Sequence, residues 1–474
     1  MIIRRVFVSM LSVATGIAIF LNGCGSSGGN DGVVLPKSWH NPASLTDNIS
    51  LDGQDALFPQ VAMDNNGNII IAWLQFDGAN YQIYKSEHRN GVWSYPTSLS
   101  DSISPHGQDA SVPRVAMDNN GNAIIVWTQS DGTNIQIFKS EYRNAVWIHP
   151  ASISDNISPD GQDADSPQAA MDNSGNAIIV WHQYDGTDLK IFKSEYRGGI
   201  WTHPTGLTDS ISPEGSADGN AAVYAQVAMD NNGNAIIVWQ QAESGSPYKI
   251  FKSEYRGGVW THPSSAADSI GPNPAGGGAG YPQVVMDKNG NAIIVWYQHD
   301  GTNMQIFKSE YRGAVWTHPI NLADNISPDG SLAFDPQVAM DNNGNAIIVW
   351  VQSDGANYQI FKSEYHSNVW TQPINLADNI SPDGQDAYSA RVAMDNNGNV
   401  IIIWYQYDGV NYKNFKSEYR SGAWTHPANL SDSISFTGYN TSSSQIAINN
   451  QGNAIVVWSL HDGTSFKIFK SEYR

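Results

Sequence analysis

One position in each copy of a repeated segment carries the side chains best suited to grip a charged ligand. Immediately before a Val-Ala-Met-Asp run, or a close variant of it, stand Gln60, Arg114, Gln168, Gln226, Gln283, Gln337, Arg391 and Gln445. A fold that gathers these positions around an axis makes a polar collar interrupted by two guanidinium groups. Such a collar reads either as a hydrated channel lining or as a clamp for an anion, because the arginine fork matches a carboxylate bidentately.

A second set is acidic. Asp77, Asp131, Asp185, Asp300, Asp354, Asp408 and Asp462, with Glu243 in the fourth copy, lie in the segment between the second and third predicted strands. Longer acidic stretches separate the copies: residues 155–163, with relatives at 47–55, 101–109 and 378–386, and looser ones from Asp209, Asp268, Asp324 and Asp432. Their oxygens suit calcium or sugar hydroxyls, and they equally suit turn formation and solubility. Neither reading requires a cofactor, and calcium stays open under the first.

The tight Asp-Asn-Asn-Gly-Asn turn offers too few oxygens for the six to eight that calcium takes, and reads as a hairpin. His149, His203, His262, His318 and His426 share a position with Asn41, Tyr95 and Gln372. A metal ligand does not tolerate those exchanges, so these histidines read as strand-end residues. Catalysis would call for an asymmetric cluster of acids in the irregular fourth and fifth inter-copy loops, where the candidates are Asp218 and the amides Asn220 and Asn273.

The elements that must position these residues follow from the repeat. Met-Asp-Asn-Asn-Gly-Asn starts at Met63 and recurs at Met117, Met171, Met229, Met286, Met340 and Met394, then in altered form at Ile448; the spacing is 54 residues except for 58 and 57 around the fourth copy. A period near 50 without helical patterning is the scale of a propeller blade. Each copy holds four β-branched and aromatic runs broken by Asn-Gly and Asp-Gly, which predicts four strands. All 16 tryptophans fall at two repeat positions, Trp73 and Trp93 in the first copy, and read as packing elements.

The last copy stops after its third strand at Arg474, while Trp39-His40-Asn41-Pro42 matches a fourth strand without its predecessors. The expectation is an all-β, eight-bladed propeller of four-stranded antiparallel blades. A strand over residues 35–45 completes the last blade and leaves no open sheet edge.

Before that domain, Arg4 and Arg5 precede an apolar run ending in Leu21-Asn22-Gly23-Cys24, a sequence that resembles the lipobox of bacterial lipoproteins. The resemblance implies a signal peptide over 1–23, lipidation of Cys24, a flexible tether over 24–34 and a place in the cell envelope at the outer membrane, with membrane contact through the lipid alone. Cys24 is the only cysteine, so no intramolecular disulfide forms. Removing residues 1–23 takes away two arginines and no acid, moving the net charge from −20 to −22. That charge excludes nucleic acid as a partner and leaves cations, neutral glycans and basic proteins.

The blade pattern, an inner strand ending in Asp followed by Gly-Asn-Ala and an apolar run to Trp, resembles the repeats of bacterial sialidase-like β-propeller lipoproteins over residues 35–474. The Asp-box of sialidases is not reproduced: Asp64 and Gly67 stand one residue too far apart, and the Thr-Trp is missing. Of the three pore arginines a sialidase implies, Arg114 and Arg391 are the candidates. Near-identity of the copies argues against catalysis, which breaks symmetry. The expectation is therefore a monomeric, surface-tethered, non-catalytic binding or scaffold protein for a glycan or protein. The alternatives are a polysaccharide-active, sialidase-like enzyme and a purely structural envelope protein.

Overall fold

The computed structural model describes residues 37–213, 221–242, 245–272 and 277–474. Cys24, with the expected leader and tether, lies outside the described residues, as do Glu243, Asp218, Asn220 and Asn273. The chain divides into two units, Met1–Lys37 and Ser38–Arg474, and the second carries the fold.

Among the described residues the protein is all-β, with 32 strands pairing antiparallel in groups of four. The first group runs Ala56–Met63, Ile69–Phe76, Tyr81–Arg89 and Val92–Ser94, in that order across the sheet. Its inner hairpin is set by Asp64, whose Oδ1 accepts the amides of Asn66 at 2.9 Å and Asn68 at 2.7 Å. Gly67 supplies the left-handed residue at φ 80°. The second strand is covered on both faces, which is why its sequence is a continuous apolar run and does not alternate; Ile70, Ile71, Ala72 and Trp73 have no exposed surface. All eight tryptophans of this position are fully buried. The third and fourth groups are joined by one parallel bridge, Leu189 to Ala221, and the other six remain separate four-stranded sheets. Repeated four-stranded antiparallel sheets are consistent with propeller blades.

The two ends of the unit share a sheet. Trp39–His40 pairs with Phe466–Tyr473, Trp39 opposite Tyr473 and His40 opposite Glu472. The strand is shorter than the expected 35–45, because Pro42 has no amide to donate and Ser44 caps a 3-10 turn at Leu45–Asp47.

Neighbouring sheets are held by the Lys-Ser-Glu-Tyr-Arg segment of the third strands, which reads Lys-Ser-Glu-His-Arg in the first copy and Lys-Ser-Glu-Tyr-His in the sixth. Glu87 takes Lys85 and, at 2.8 Å, Arg89 Nε from its own strand, and the indole N–H of Trp147 from the next sheet at 2.7 Å. Arg89 goes on to the Gly121 carbonyl at 3.0 Å and lies 3.6 Å over the Tyr142 ring. The same indole-to-carboxylate bond joins Glu141 to Trp201, Glu195 to Trp260, Glu254 to Trp316, Glu310 to Trp370 and Glu364 to Trp424. At the chain ends it joins Glu418 to Trp39 at 2.6 Å and Glu472 to Trp93 at 3.1 Å. Burial alone would raise the Glu87 carboxyl; Lys85 and Arg89 outweigh it and hold it below the ordinary range.

The five histidines of the outer strands stand at strand ends. His149 Nδ1 bonds Ser140 Oγ at 2.9 Å while its ring stacks on Trp147, and His203, His262, His318 and His426 repeat the bond to the equivalent serine. Burial, helped by the charge of Lys85, pushes His149 down from the ordinary 6.5 to about 4, and His203 behaves likewise beside Lys139.

Two outcomes are expected. Trp39→Phe and Trp201→Phe each remove one indole N–H from a carboxylate, and chemical denaturation should find both destabilising by about 1–3 kcal/mol. A neutral Trp39→Phe beside a costly Trp201→Phe would show that the N-terminal strand is not integral. For pH, a histidine with a depressed folded pKa binds its proton more readily in the unfolded chain. Stability is therefore complete above pH 6.5 and declines as the pH falls from 6.5 toward 4. A double His149→Gln, His203→Gln variant, copying Gln372, should show a shallower fall in Tm over that window than the native protein; parallel curves would refute the assignment.

Candidate functional site

The first strand of every group breaks register at the same place. Between Ser111 and Arg114 the pairing to the second strand slips, and the same slip occurs between Leu57 and Gln60, Asp165 and Gln168, Val223 and Gln226, Gly280 and Gln283, Phe334 and Gln337, Tyr388 and Arg391, and Ser442 and Gln445. The bulged residue is left-handed each time and never glycine: Phe58, Val112, Ser166, Tyr224, Tyr281, Asp335, Ser389 and Ser443, all with φ between 50° and 56°. Such a backbone costs about 1–3 kcal/mol per residue, and bulges of this kind re-aim side chains beside functional sites.

The bulges are also where the copies differ. Their triplets read Leu57-Phe58-Pro59, Ser111-Val112-Pro113, Asp165-Ser166-Pro167, Val223-Tyr224-Ala225, Gly280-Tyr281-Pro282, Phe334-Asp335-Pro336, Tyr388-Ser389-Ala390 and Ser442-Ser443-Ser444. The first residue of each triplet faces a second variable position across the sheet: Leu74, Thr128, His182, Gln240, Tyr297, Val351, Tyr405 and Ser459. A uniform frame thus carries a non-uniform rim.

Two cavities open on that rim. The first, about 500 Å³, is lined by Arg114, Arg391, Gln60, Gln445, Tyr405 and the serines of the bulges. The second, about 670 Å³, is lined by Tyr281, Tyr297, Phe334, Tyr358 and Asp335, and shares Arg391 and Ser389 with the first. Arg114 Nη1 bonds the Pro113 carbonyl at 2.9 Å, and Arg391 Nη1 bonds the Ala390 carbonyl at 2.8 Å. Arg391 also faces Asp335 at 3.6 Å. Burial and then the like charge of Arg391 push Arg114 down to about 10, opposed by Asp165. A guanidinium disfavoured by burial and by a like charge beside it is relieved by a bound anion.

Asp165 is paired across the strands with His182, whose Nδ1 is buried without a hydrogen-bond partner. Burial lowers the His182 pKa against the pull of Asp165, so the imidazole is neutral at pH 7. Among the described lining residues of the two cavities Asp335 is the one carboxylate. A hydrogen bond with Tyr224, with burial adding to it, raises Tyr281 to about 12, so its hydroxyl stays protonated.

The structure therefore brings Gln60, Arg114, Arg391 and Gln445 to one cavity. Gln168, Gln226, Gln283 and Gln337 hold the same register position but line neither cavity. The acidic residues between second and third strands serve their own turns. Asp77 Oδ1 accepts the amides of Ala79 and Asn80, both at 2.8 Å, and Asp131, Asp185, Asp300, Asp354 and Asp408 do the same two and three residues on. The inter-sheet loops cap strands: Asp109 Oδ1 accepts the Tyr81 amide at 2.8 Å, and Asp55 that of Phe466 at 2.8 Å. No group of three metal-ligating side chains converges among the described residues. Asp165, His182, Tyr281, Tyr297, Asp335 and Tyr405 escaped the sequence reading. Their signal was position-specific divergence in otherwise repeated strands, at the triplet before the Gln or Arg and directly after the buried tryptophan.

No family model and no curated protein matches the chain. Among solved structures it is similar to a polysaccharide lyase of family PL25, an ulvan lyase, at 10% identity over 90% of this chain and 94% of that one, with a TM-score of 0.46. It is similar to the GH93 α-L-arabinofuranosidase of Fusarium graminearum at 13% identity over 64% and 90%, with a TM-score of 0.35. It is also similar to a protein of unknown function from Dyadobacter fermentans at 10% identity over 92% and 99%, with a TM-score of 0.41. Likeness at this level concerns fold, and it is to β-propeller-like glycan-active proteins; a sialidase is not among these three. The expectations of a non-catalytic binding or scaffold protein and of no enzymatic activity are corrected: two of these neighbours are enzymes acting on glycans, and the premise of uniform copies fails at the bulges.

Proposed function

We propose that the chain is a polysaccharide-active enzyme whose substrate carries carboxylates, with its site on the bulged rim of a closed, eight-bladed propeller. The observation that carries the reading is the pair Arg114 and Arg391 in one cavity, where burial and the charge of Arg391 disfavour that of Arg114 while Asp335 answers Arg391 at 3.6 Å. A uronate carboxylate between them satisfies both forks.

Closure is supported by two bonds that run from the last sheet to the first, Trp93 to Glu472 and the Asn450 amide to Asn65 Oδ1 at 3.1 Å. The connecting loop is pinned to the last sheet by the Ile49 amide on the Ile468 carbonyl at 2.8 Å. A closed ring is what gathers first strands from the seventh, eighth, first and second copies around one cavity.

The chemistry follows from the donor set. Double-carboxylate hydrolysis needs two acids flanking the bond, and the lining offers Asp335 alone. Neutralising a uronate carboxylate instead acidifies the hydrogen on the adjacent carbon, so that a base can abstract it. In this reading that proton leaves to a solvent base, because the imidazole of His182 lines neither cavity. The electrons of the broken C–H bond form a C=C bond, the neighbouring C–O bond breaks, and the Tyr405 hydroxyl protonates the departing oxygen. Export and lipid anchoring at Cys24, implied by the lipobox resemblance, belong to the same proposal, since a polymer is degraded outside the cell.

Reducing ends and the ultraviolet absorbance of an unsaturated product, measured on a panel of polyuronates, test the reading. Arg114→Ala and Arg391→Ala are each expected to lose at least about 100-fold in kcat/KM. Tyr405→Phe, which removes the hydroxyl that protonates the departing oxygen, is expected to lose about 100-fold or more in kcat with KM nearly unchanged. Cleavage that survives both arginine variants, or inertness of the native protein toward every carboxylated polymer tried, would overturn it.

A further inference from the structure

The second cavity differs from the first in kind. Its walls are aromatic, and the rings form a connected series. Tyr224 and Tyr281, from bulges of adjacent sheets, stack with centroids 4.7 Å apart, and Tyr281 continues to Tyr297 at 5.6 Å. On the other side Phe334 meets Tyr358 edge-on at 5.3 Å. Tyr224 and Tyr281 keep 40% and 44% of their surface exposed although each is held in a left-handed backbone. The same bulge in every copy presents whatever side chain stands there to the rim, and in these two copies it presents a large ring to solvent.

Charge limits what that is. Asp335 projects from the bulge between these two aromatic groups and is the only carboxylate lining the cavity among the described residues. Its partner Arg391 faces it on the side shared with the cationic cavity. A second uronate here would meet Asp335 and no free guanidinium. A neutral pyranose fits better: its C–H face packs on the rings, and the uncharged Tyr281 hydroxyl, bonded to Tyr224, keeps an oxygen that accepts from its hydroxyls.

Resting on the uronate reading above, we infer that this cavity is a subsite for the neutral sugar next to the carboxylated one. The preferred substrate is then a heteropolymer in which uronate alternates with a neutral sugar, rather than a run of consecutive uronates. Arg391, common to both cavities, sits at the junction of the two residues.

The test is calorimetric binding of three ligands to the whole protein: free glucuronate, a tetrasaccharide of hyaluronan, in which glucuronate alternates with N-acetylglucosamine, and a tetrasaccharide of polygalacturonate. The variants are Arg114→Ala, Tyr281→Ser and Tyr297→Ser. The last two place at these positions the serine that the fold already carries at Ser389 and Ser459, and thermal melting confirms that they fold. The hyaluronan tetrasaccharide is expected to bind the native protein at least about 10-fold more tightly than the polygalacturonate one. Each tyrosine variant should remove most of that difference while leaving free glucuronate unchanged, and Arg114→Ala should weaken all three ligands. Equal affinity for the two tetrasaccharides, or a preference that survives in both tyrosine variants, overturns the neutral subsite and leaves the uronate reading standing. Glucuronate that fails to bind, or binds independently of Arg114, overturns the uronate reading and this inference with it.

Discussion

A carboxylate that is mostly buried between two β-sheets must have its charge answered from both sides. Glu87 and its seven counterparts meet that demand with Lys and, except at Glu364, Arg two residues away on the same strand and an indole N–H from the neighbouring sheet. The pairing has no slack, because removing one partner of a buried charge leaves the other uncompensated at a cost of about 3–5 kcal/mol. This explains why Lys-Ser-Glu-Tyr-Arg and the outer tryptophan recur almost without change, down to the stub Trp39–His40, whose indole completes the Glu418 set. The arginine carries the bond further, to the hairpin carbonyl of the next sheet, and its guanidinium covers the next tyrosine. Sheet-to-sheet cohesion therefore resides at the outer and lower parts of each sheet, where third and fourth strands meet their neighbours.

The opposite end of the first strand is released from that duty. Its bulge takes it out of the ladder for two residues, and among the described residues no inter-sheet salt bridge depends on it apart from the pair Arg391 and Asp335. Divergence collects at these triplets and at the positions facing them, while the Asp-Gly turns and the inter-sheet loops keep their carboxylates because backbone amides need them. Repetition and specialisation coexist because different strands of the same unit bear them.

The repeat, the four strands, the hairpins and the buried tryptophans were all legible in the sequence, since each rests on local patterning: an apolar run, an Asn-Gly break, a fixed spacing. The polar collar was legible at Gln60, Arg114, Arg391 and Gln445, because one register position recurs in every copy. Two things were not. Asp165 and His182 lie 17 residues apart in sequence and meet only through strand register, across a bulge that shifts the alignment by one. Pro167, like its counterparts, makes the triplet read as loop rather than strand. The acidic loops were only partly legible: composition marks them as a binding face, and what it does not show is that Asp77 and Asp109 each turn one oxygen to backbone amides at 2.8 Å. Arguing from the uniformity of the copies averaged away the few positions at which they differ.

A protein of net charge −20 that receives a polyanion needs its positive charge to act at short range. Screening over about 8–10 Å at physiological salt confines the influence of the surrounding carboxylates to their own turns. Several of those are further answered locally, as Asp52 and Asp462 are by Lys467. Arg114 is in the reverse position: burial and its neighbour Arg391 destabilise its charge within the cavity, where a lower effective dielectric strengthens every direct pairing. The acidic exterior thus disfavours loose association with any polyanion, and the floor of the cavity rewards only a carboxylate that reaches both guanidinium groups. Selectivity in such an arrangement arises from contact geometry, and long-range attraction contributes nothing to it.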